Sequence, residues 1–222
     1  MSLRDRKAVV TGGPTREWLD PVRFISNPSS GKMGIALADA IIRRVRETVY
    51  IHGPINDGLT KNRAYRIRDV VTTEDLLKAV MEEIEEKSIL IMAAAPADYR
   101  PTEKSATKIK KTEGDLITRL EKTPDILTAV SDKRKRGEIQ DILVVGFAAE
   151  TTDAKAHAKE KLARKNLDMI CLNDVSVSGA GFGTDTNLVT IFTRNGGCID
   201  LPLLSKEDVA ERIVDEIEKL LS

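Results

Sequence analysis

The chain has no excess of charge of either sign: 35 Lys and Arg balance 35 Asp and Glu. No global field draws in nucleic acid or a membrane, so any anion site has to be local. Cysteine is nearly absent. Cys171 and Cys198 lie far apart without Cys-x-x-Cys spacing, which argues against a zinc site and fits a reducing cytosol. Both sit in apolar runs and read as core thiols. No apolar run approaches the ~20 residues of a membrane helix, and no cationic leader precedes one. The expectation is a cytoplasmic protein with no membrane or nucleic-acid partner. Aromatics make up 4% of the residues against a charged fraction of 32%, a composition that suits a heat-tolerant protein.

What is there centres on Ser26-Asn27-Pro28-Ser29-Ser30-Gly31-Lys32-Met33-Gly34. Ser29 and Ser30 are suited to capping a helix, Gly31 and Gly34 let backbone approach a ligand, and the free N–H groups of a first turn favour phosphate. Met33, Ala36, Leu37, Ala40 and Ile41 then recur at helical spacing. A P-loop would need glycine at Ser26 and Ser or Thr at Met33, so that reading fails. The glycines after the first strand, Gly12 and Gly13, stand too far from Gly31 for a dinucleotide fingerprint. A capped helix without ligand is the bland alternative.

Taken in order, the chain alternates strands and helices. Strands are predicted at residues 7–10, 48–51, 64–70, 88–94, 143–148 and 169–172, and helices at 31–44, 74–86, 124–134 and 153–165. Thr72 or Thr73 caps the second helix, and Thr123 with Pro124 opens the third. Asn166 closes the fourth in the left-handed conformation. Segments 188–193 and 198–201 flank Asn195-Gly196-Gly197 as a hairpin, and Ser205 starts a final helix to Leu221. The fold class is α/β: one domain over 1–222 with a doubly wound, mostly parallel Rossmann-like sheet and a C-terminal hairpin plus helix. Residues 98–122 form a mobile flap, read as a β-hairpin pairing Lys108-Ile109-Lys110-Lys111 with 116–120. Ligands on such sheets bind beyond the carboxyl ends of the strands, where Gly12, Asn27 and the segment after Ala95 gather.

Together, Thr11-Gly12-Gly13-Pro14-Thr15-Arg16-Glu17, Asp20-Pro21-Val22-Arg23, the 26–34 stretch, Ala93-Ala94-Ala95, Ala97-Asp98-Tyr99-Arg100, Lys108-Ile109-Lys110-Lys111, Pro124-Asp125-Ile126, Gly146-Phe147-Ala148-Ala149-Glu150-Thr151, Lys165-Asn166-Leu167-Asp168 and Asn173-Asp174-Val175 resemble phosphopantothenate-cysteine ligase, an enzyme of coenzyme A biosynthesis. One such motif is weak, whereas the ordered set is specific and spans nearly the whole chain. The resemblance implies that 4′-phosphopantothenate attacks the α-phosphate of CTP, or ATP in the eukaryotic type, and that cysteine then displaces the nucleotide. It implies Lys108 on the triphosphate and Asn27 on the acyl-nucleotide as catalytic residues. Asp98 is placed near nucleotide and metal, and Ala94, Pro124, Asp125, Ile126, Leu127, Phe147, Lys161 and Lys165 in the nucleotide pocket. The phosphate cradle of Gly12, Ser29, Ser30, Gly31, Lys32, Met33 and Gly34 is expected to bind the nucleotide, closing with Lys108 on the same triphosphate. Mg2+ is expected with the triphosphate, since its charge must be neutralised for carboxylate attack. A homodimer and a flavin-dependent decarboxylase half, fused or separate, are the implied partners. The thiols have no role because both nucleophiles belong to substrates, and His52 and His157 read as loop and helix-surface residues.

Two other classes compete. An NAD(P) oxidoreductase would want a Tyr-x-x-x-Lys pair, but Tyr50, Tyr65 and Tyr99 are followed four residues on by Pro54, Asp69 and Glu103. A nucleotide sensor would need no flap lysines aimed at the cleft of Asn27.

Overall fold

Apolar runs bounded by turn residues become the strands of one sheet, and the amphipathic stretches between them become its covering helices. The computed structural model describes residues 2–111, 113–150, 153–174, 181 and 183–221. In chain order the elements are β1 (Lys7–Gly12), α1 (Lys32–Ile41), β2 (Glu47–His52), β3 (Arg66–Asp69), α2 (Thr73–Glu83), β4 (Ser88–Met92), α3 (Ile126–Lys135), β5 (Ile142–Glu150), α4 (Ala154–Arg164), β6 (Met169–Asp174), β7 (Val189–Thr193), β8 (Cys198–Asp200) and α5 (Lys206–Leu221). Across the sheet the order is β8, β7, β6, β5, β4, β1, β2, β3. The strands from β3 to β6 run parallel, and β7 and β8 close the far edge antiparallel. The chain moves outward from β1 to β3, then returns to the other side at β4. That reversal opens a crevice at the carboxyl ends of β1 and β4.

Period-two burial divides the sheet's side chains between two apolar layers. Ala8, Val10, Tyr50, Ile89, Ile91, Val145 and Met169 face α1 and α5, while Val9, Val49, Ile51, Leu90, Val144 and Ile170 face α2, α3 and α4. Both layers are fully covered, as the near-continuous apolar strands anticipate.

Several local expectations change. Ser29 and Ser30 do not cap α1; its N-cap is Gly31 at φ 79°, with no side-chain cap bond. Asp125, not Thr123, caps α3 by accepting from the Thr128 N–H, because Pro124 stops just short of the helix. Thr72 caps α2 in a reciprocal box with Asp75. Between β1 and α1, Glu17–Trp18 pairs antiparallel with Phe24–Ile25. The flap's paired strands are Tyr99–Pro101 and Leu120–Lys122. Lys108 to Lys111 lie outside any strand, since the ladder forms at the flap's base rather than along its lysines. Cys171 is buried as expected, but Cys198 is exposed on the edge strand β8. His52 ends β2 as a buried residue, its Nδ1 2.7 Å from the Gly53 carbonyl oxygen. Asn166 does close α4 with φ 51°.

Candidate functional site

A glycine contact sets the floor of the site. A Cβ on Gly34 would stand 2.8 Å from the Gly12 Cα and 2.8 Å from the Thr11 carbonyl oxygen, so α1 lies directly on the end of β1. Gly12 is thereby held beneath the helix and against the Tyr50 ring; it is not on the cleft lining, contrary to the cradle expected for it. The segment after β4 is tied across the crevice to the segment after β1. The Ala94 N–H donates to Thr11 Oγ1 at 3.1 Å, the Ala95 N–H to the Gly13 oxygen at 2.9 Å and the Ala97 N–H to Thr15 Oγ1 at 2.9 Å. Glu17, buried below, accepts from both the N–H and the hydroxyl of Thr73 at 2.8 Å, and the Thr73 hydroxyl lies 2.9 Å from that of Thr15. These bonds are why a run of small residues holds a fixed shape here: a buried polar network with satisfied members rigidifies what it touches.

Above this floor lies one cleft with two lobes. The first, about 490 Å³, is lined by the α1 start from Ser29 to Gly34, by Asn27, by the 93–96 segment, and by Asn173, Asn187 and Lys206. The second, about 460 Å³, is lined by Tyr99, Lys122, Pro124, Asp125, Ile126, Leu127 and Lys165. Ala94, Pro96, Asp98, Phe147 and Lys161 line both lobes. Each lobe has the size of a small-molecule site.

The charges around it are arranged rather than scattered. Lys32, Lys161 and Lys206 face the first lobe; among the described residues Asp98 is the one acid on its lining, and Lys32 is paired with Asp185 at 2.6 Å. Lys161 donates to the Phe147 carbonyl at 2.9 Å, and Lys165 bonds to Asp125 and, at 2.6 Å, to Thr128 Oγ1. Burial works against the Asp125 carboxylate, but Lys165 and the Thr128 N–H outweigh it and hold its pKa below the usual range. Asn27 donates to the Ala95 and Pro96 oxygens at 3.3 and 3.0 Å. The amide nitrogen expected to serve a substrate carbonyl is thus engaged with the main chain.

Of the residues expected from sequence, Asn27, Ser29, Ser30, Gly31, Lys32, Met33, Gly34, Ala94, Asp98, Pro124, Asp125, Ile126, Leu127, Phe147, Lys161 and Lys165 all line the two lobes. Lys108 does not. It is exposed on the flap, and the flap is fastened instead to the 17–25 pair. Asp20, fully buried, accepts from the Ile109 N–H at 3.1 Å while Arg23 donates to the Ile109 oxygen at 2.9 Å. Arg23 holds the Asp20 carboxyl well below the usual carboxylate range, against the effect of burial. Cleft residues missed from sequence as ligand contacts include Asn173, Asn187 and Lys206 in the first lobe and Tyr99 and Lys122 in the second. Nothing local distinguishes Lys206 from an ordinary lysine of a helix's first turn.

Among the described residues no three His, Cys, Asp or Glu side chains converge on a common point. Magnesium carried by a triphosphate needs only one or two protein carboxylates, its other ligands being phosphate oxygens and water. Asp98, exposed at the junction of the lobes, fits that donor set.

Fold and cleft together define a doubly wound α/β domain with a two-lobed, lysine-lined ligand site at its switch point. Comparison with known proteins gives the family. The model of the DNA/pantothenate metabolism flavoprotein C-terminal domain matches residues 3–221, and the chain belongs to that family. It is 43% identical over 218 residues to the coenzyme A biosynthesis bifunctional protein CoaBC of Bacillus subtilis, covering 98% of this chain and 52% of that protein. Against the Haemophilus influenzae protein of the same name the identity is 44% over 215 residues, covering 97% and 52%. The chain therefore spans about half the length of these curated relatives. A crystal structure of the C-terminal domain of a CoaBC protein superposes with a TM-score of 0.78 at 34% identity, covering 99% of this chain and 97% of that one. A Streptococcus pneumoniae structure titled as a DNA/pantothenate metabolism flavoprotein shares the fold, with a TM-score of 0.76 at 23% identity, covering 96% and 99%.

Proposed function

We propose that the chain is a phosphopantothenate-cysteine ligase, joining 4′-phosphopantothenate to L-cysteine through an acyl-nucleotide made from CTP. The observation that supports this reading is the pairing of two lobes that meet at Ala94, Asp98, Phe147 and Lys161. A reaction between a nucleotide and a phosphorylated acid needs two cationic pockets whose contents touch at one point. A sensor needs only one, and the oxidoreductase alternative lacks its Tyr-x-x-x-Lys pair.

On this reading the nucleoside lies in the second lobe against residues 124–127 and the Phe147 ring, with its α-phosphate at Lys161. The phosphorylated acid enters the first lobe, where its phosphate, rather than the triphosphate expected from sequence, takes the N–H groups of α1 and its carboxylate lies at the junction. Holding both reactants turns an encounter in solution into an effectively unimolecular attack. The carboxylate oxygen forms a bond to the α-phosphorus, the bond to the β-phosphate bridging oxygen breaks, and pyrophosphate leaves. Magnesium held at Asp98 would supply charge neutralisation to the triphosphate. Lys108 offers an ammonium to the departing charge once the flap brings it over the cleft. In the second half the cysteine amine attacks the acyl carbon, the nucleoside monophosphate departs, and the amine's proton passes to solvent. Asn27, with its nitrogen engaged, has its carbonyl oxygen left to accept from that amine. The enzyme acts as a homodimer in the cytoplasm, and its product suits a flavin-dependent decarboxylase half, fused or separate. Sedimentation at micromolar concentration giving only monomer would remove the dimer from this account.

The test is pyrophosphate release by pure protein with magnesium, cysteine and CTP or ATP. Release should require 4′-phosphopantothenate and be faster with CTP; silence with both nucleotides would refute the reading.

A further inference from the structure

Lys206 is the least expected group in the cleft. It opens α5, the residue is 4% exposed, and it lines the first lobe. Its ammonium donates to Asn187 Oδ1 at 2.6 Å, to the Thr186 oxygen at 3.1 Å and to the Gly181 oxygen at 3.4 Å. All three partners are neutral. The acid nearest in charge, Asp185, is paired with Lys32 at 2.6 Å. Burial of a charge without an opposite charge is costly, and here burial pushes the Lys206 pKa down. A second observation lies in the same lobe. Asn173 is 9% exposed and lines it, and its Oδ1 has no hydrogen-bond partner among the described residues. A buried acceptor in that state suits a donor on a ligand, such as a hydroxyl or amide N–H beside the phosphate. The contacts also connect Lys206 to the helix start: Asn187, whose Oδ1 accepts its hydrogen bond, donates through Nδ2 to Met33 Sδ at 3.3 Å.

We infer that Lys206 determines specificity for a phosphorylated acid in the first lobe: its buried ammonium is the counter-charge to the ligand's phosphate dianion, opposite the N–H groups of α1. This rests on the ligase reading and extends it. The α1 start alone favours any anion, including a carboxylate. A second, buried cation opposite it favours a dianion, because the gain grows with ligand charge while the desolvation of Lys206 is already incurred on folding. Pantothenate without its phosphate would leave that ammonium uncompensated and bind weakly.

The experiment compares 4′-phosphopantothenate with pantothenate as ligands for wild type, Lys206→Met and Lys206→Arg by calorimetry, with CTP binding measured on each. The wild type should prefer the phosphorylated ligand. Lys206→Met should lose roughly tenfold or more of that preference, the size of one charge-assisted contact, while its CTP affinity stays within about twofold. Lys206→Arg should retain most of it. Equal loss for both ligands would mean that Lys206 merely shapes the backbone at Thr186 and Asn187, and an unchanged preference would likewise overturn the proposal. If the Met variant does not fold, Lys206→Gln, which keeps donors for Asn187 and Thr186, gives the same comparison. Failure of the wild type to bind 4′-phosphopantothenate at all, with CTP bound, would instead refute the ligase reading itself.

Discussion

Gly34 has main-chain atoms where a side chain would begin, so the first turn of α1 can approach β1 only because the residue has no Cβ. Gly34→Ala should lower stability by about 1–3 kcal/mol, the range for overpacked sites; a urea midpoint equal to wild type would contradict the close approach. Asn27 is fixed differently, by two hydrogen bonds to the Ala95 and Pro96 oxygens. Asn27→Asp replaces that donor with a carboxylate facing two carbonyls, whose repulsion turns the side chain away, so the amine step keeps an acceptor but loses its positioning. Acyl-nucleotide should then accumulate when the quenched reaction is chromatographed, with turnover slowed roughly a hundredfold, within the range for losing one positioned polar group. Full turnover without accumulation would remove Asn27 from the second half-reaction.

Elements, rather than single residues, explain what was legible. The alternation of apolar runs with 3.6-period stretches disclosed every strand of the parallel sheet and its helices, because both faces are buried and each run had to be apolar. Capping was harder to read. Thr123, Pro124 and Asp125 are adjacent candidates for one cap, and the choice depends on the Lys165 ammonium meeting Asp125 from another helix. The flap was misread for a similar reason: its ladder pairs 99–101 with 120–122, while the lysine segment between is held by Asp20 and Arg23 through the Ile109 backbone. Cleft residues in the motifs were found, but Lys206 and Asn187 come from the chain's last third and meet the cleft only through tertiary packing. Asp20→Asn should speed amide hydrogen exchange at Ile109 by about tenfold, the loss of one charge-assisted bond; unchanged protection would show that the flap is held elsewhere. At the opposite end of the sheet, Glu83 on α2 is bonded to Arg66 and Lys7. Chiefly through the Arg66 hydrogen bond, and against burial, its pKa is held at about 2. A depressed carboxylate stabilises the fold at pH values above its unfolded pKa, and that contribution disappears as pH falls from about 4.5 toward 2. Thermal melts should lose stability across that window, and Glu83→Gln should flatten the loss; identical pH profiles for the two proteins would contradict the assignment.

Over the whole molecule, two apolar layers and a strand-order reversal place the start of α1, the 94–98 segment and the ends of β5 and β6 around one cleft. On the proposed function that cleft holds two substrates at once, with the acid's carboxylate against the α-phosphorus of the nucleotide. The most direct measurement omits cysteine and supplies 4′-phosphopantothenate, magnesium and CTP labelled at its α-phosphorus. Label should move into an acid-labile acyl-cytidylate in step with pyrophosphate release, and pass to CMP when cysteine is added. Label recovered in CDP, or remaining in CTP while 4′-phosphopantothenate is bound, would contradict it.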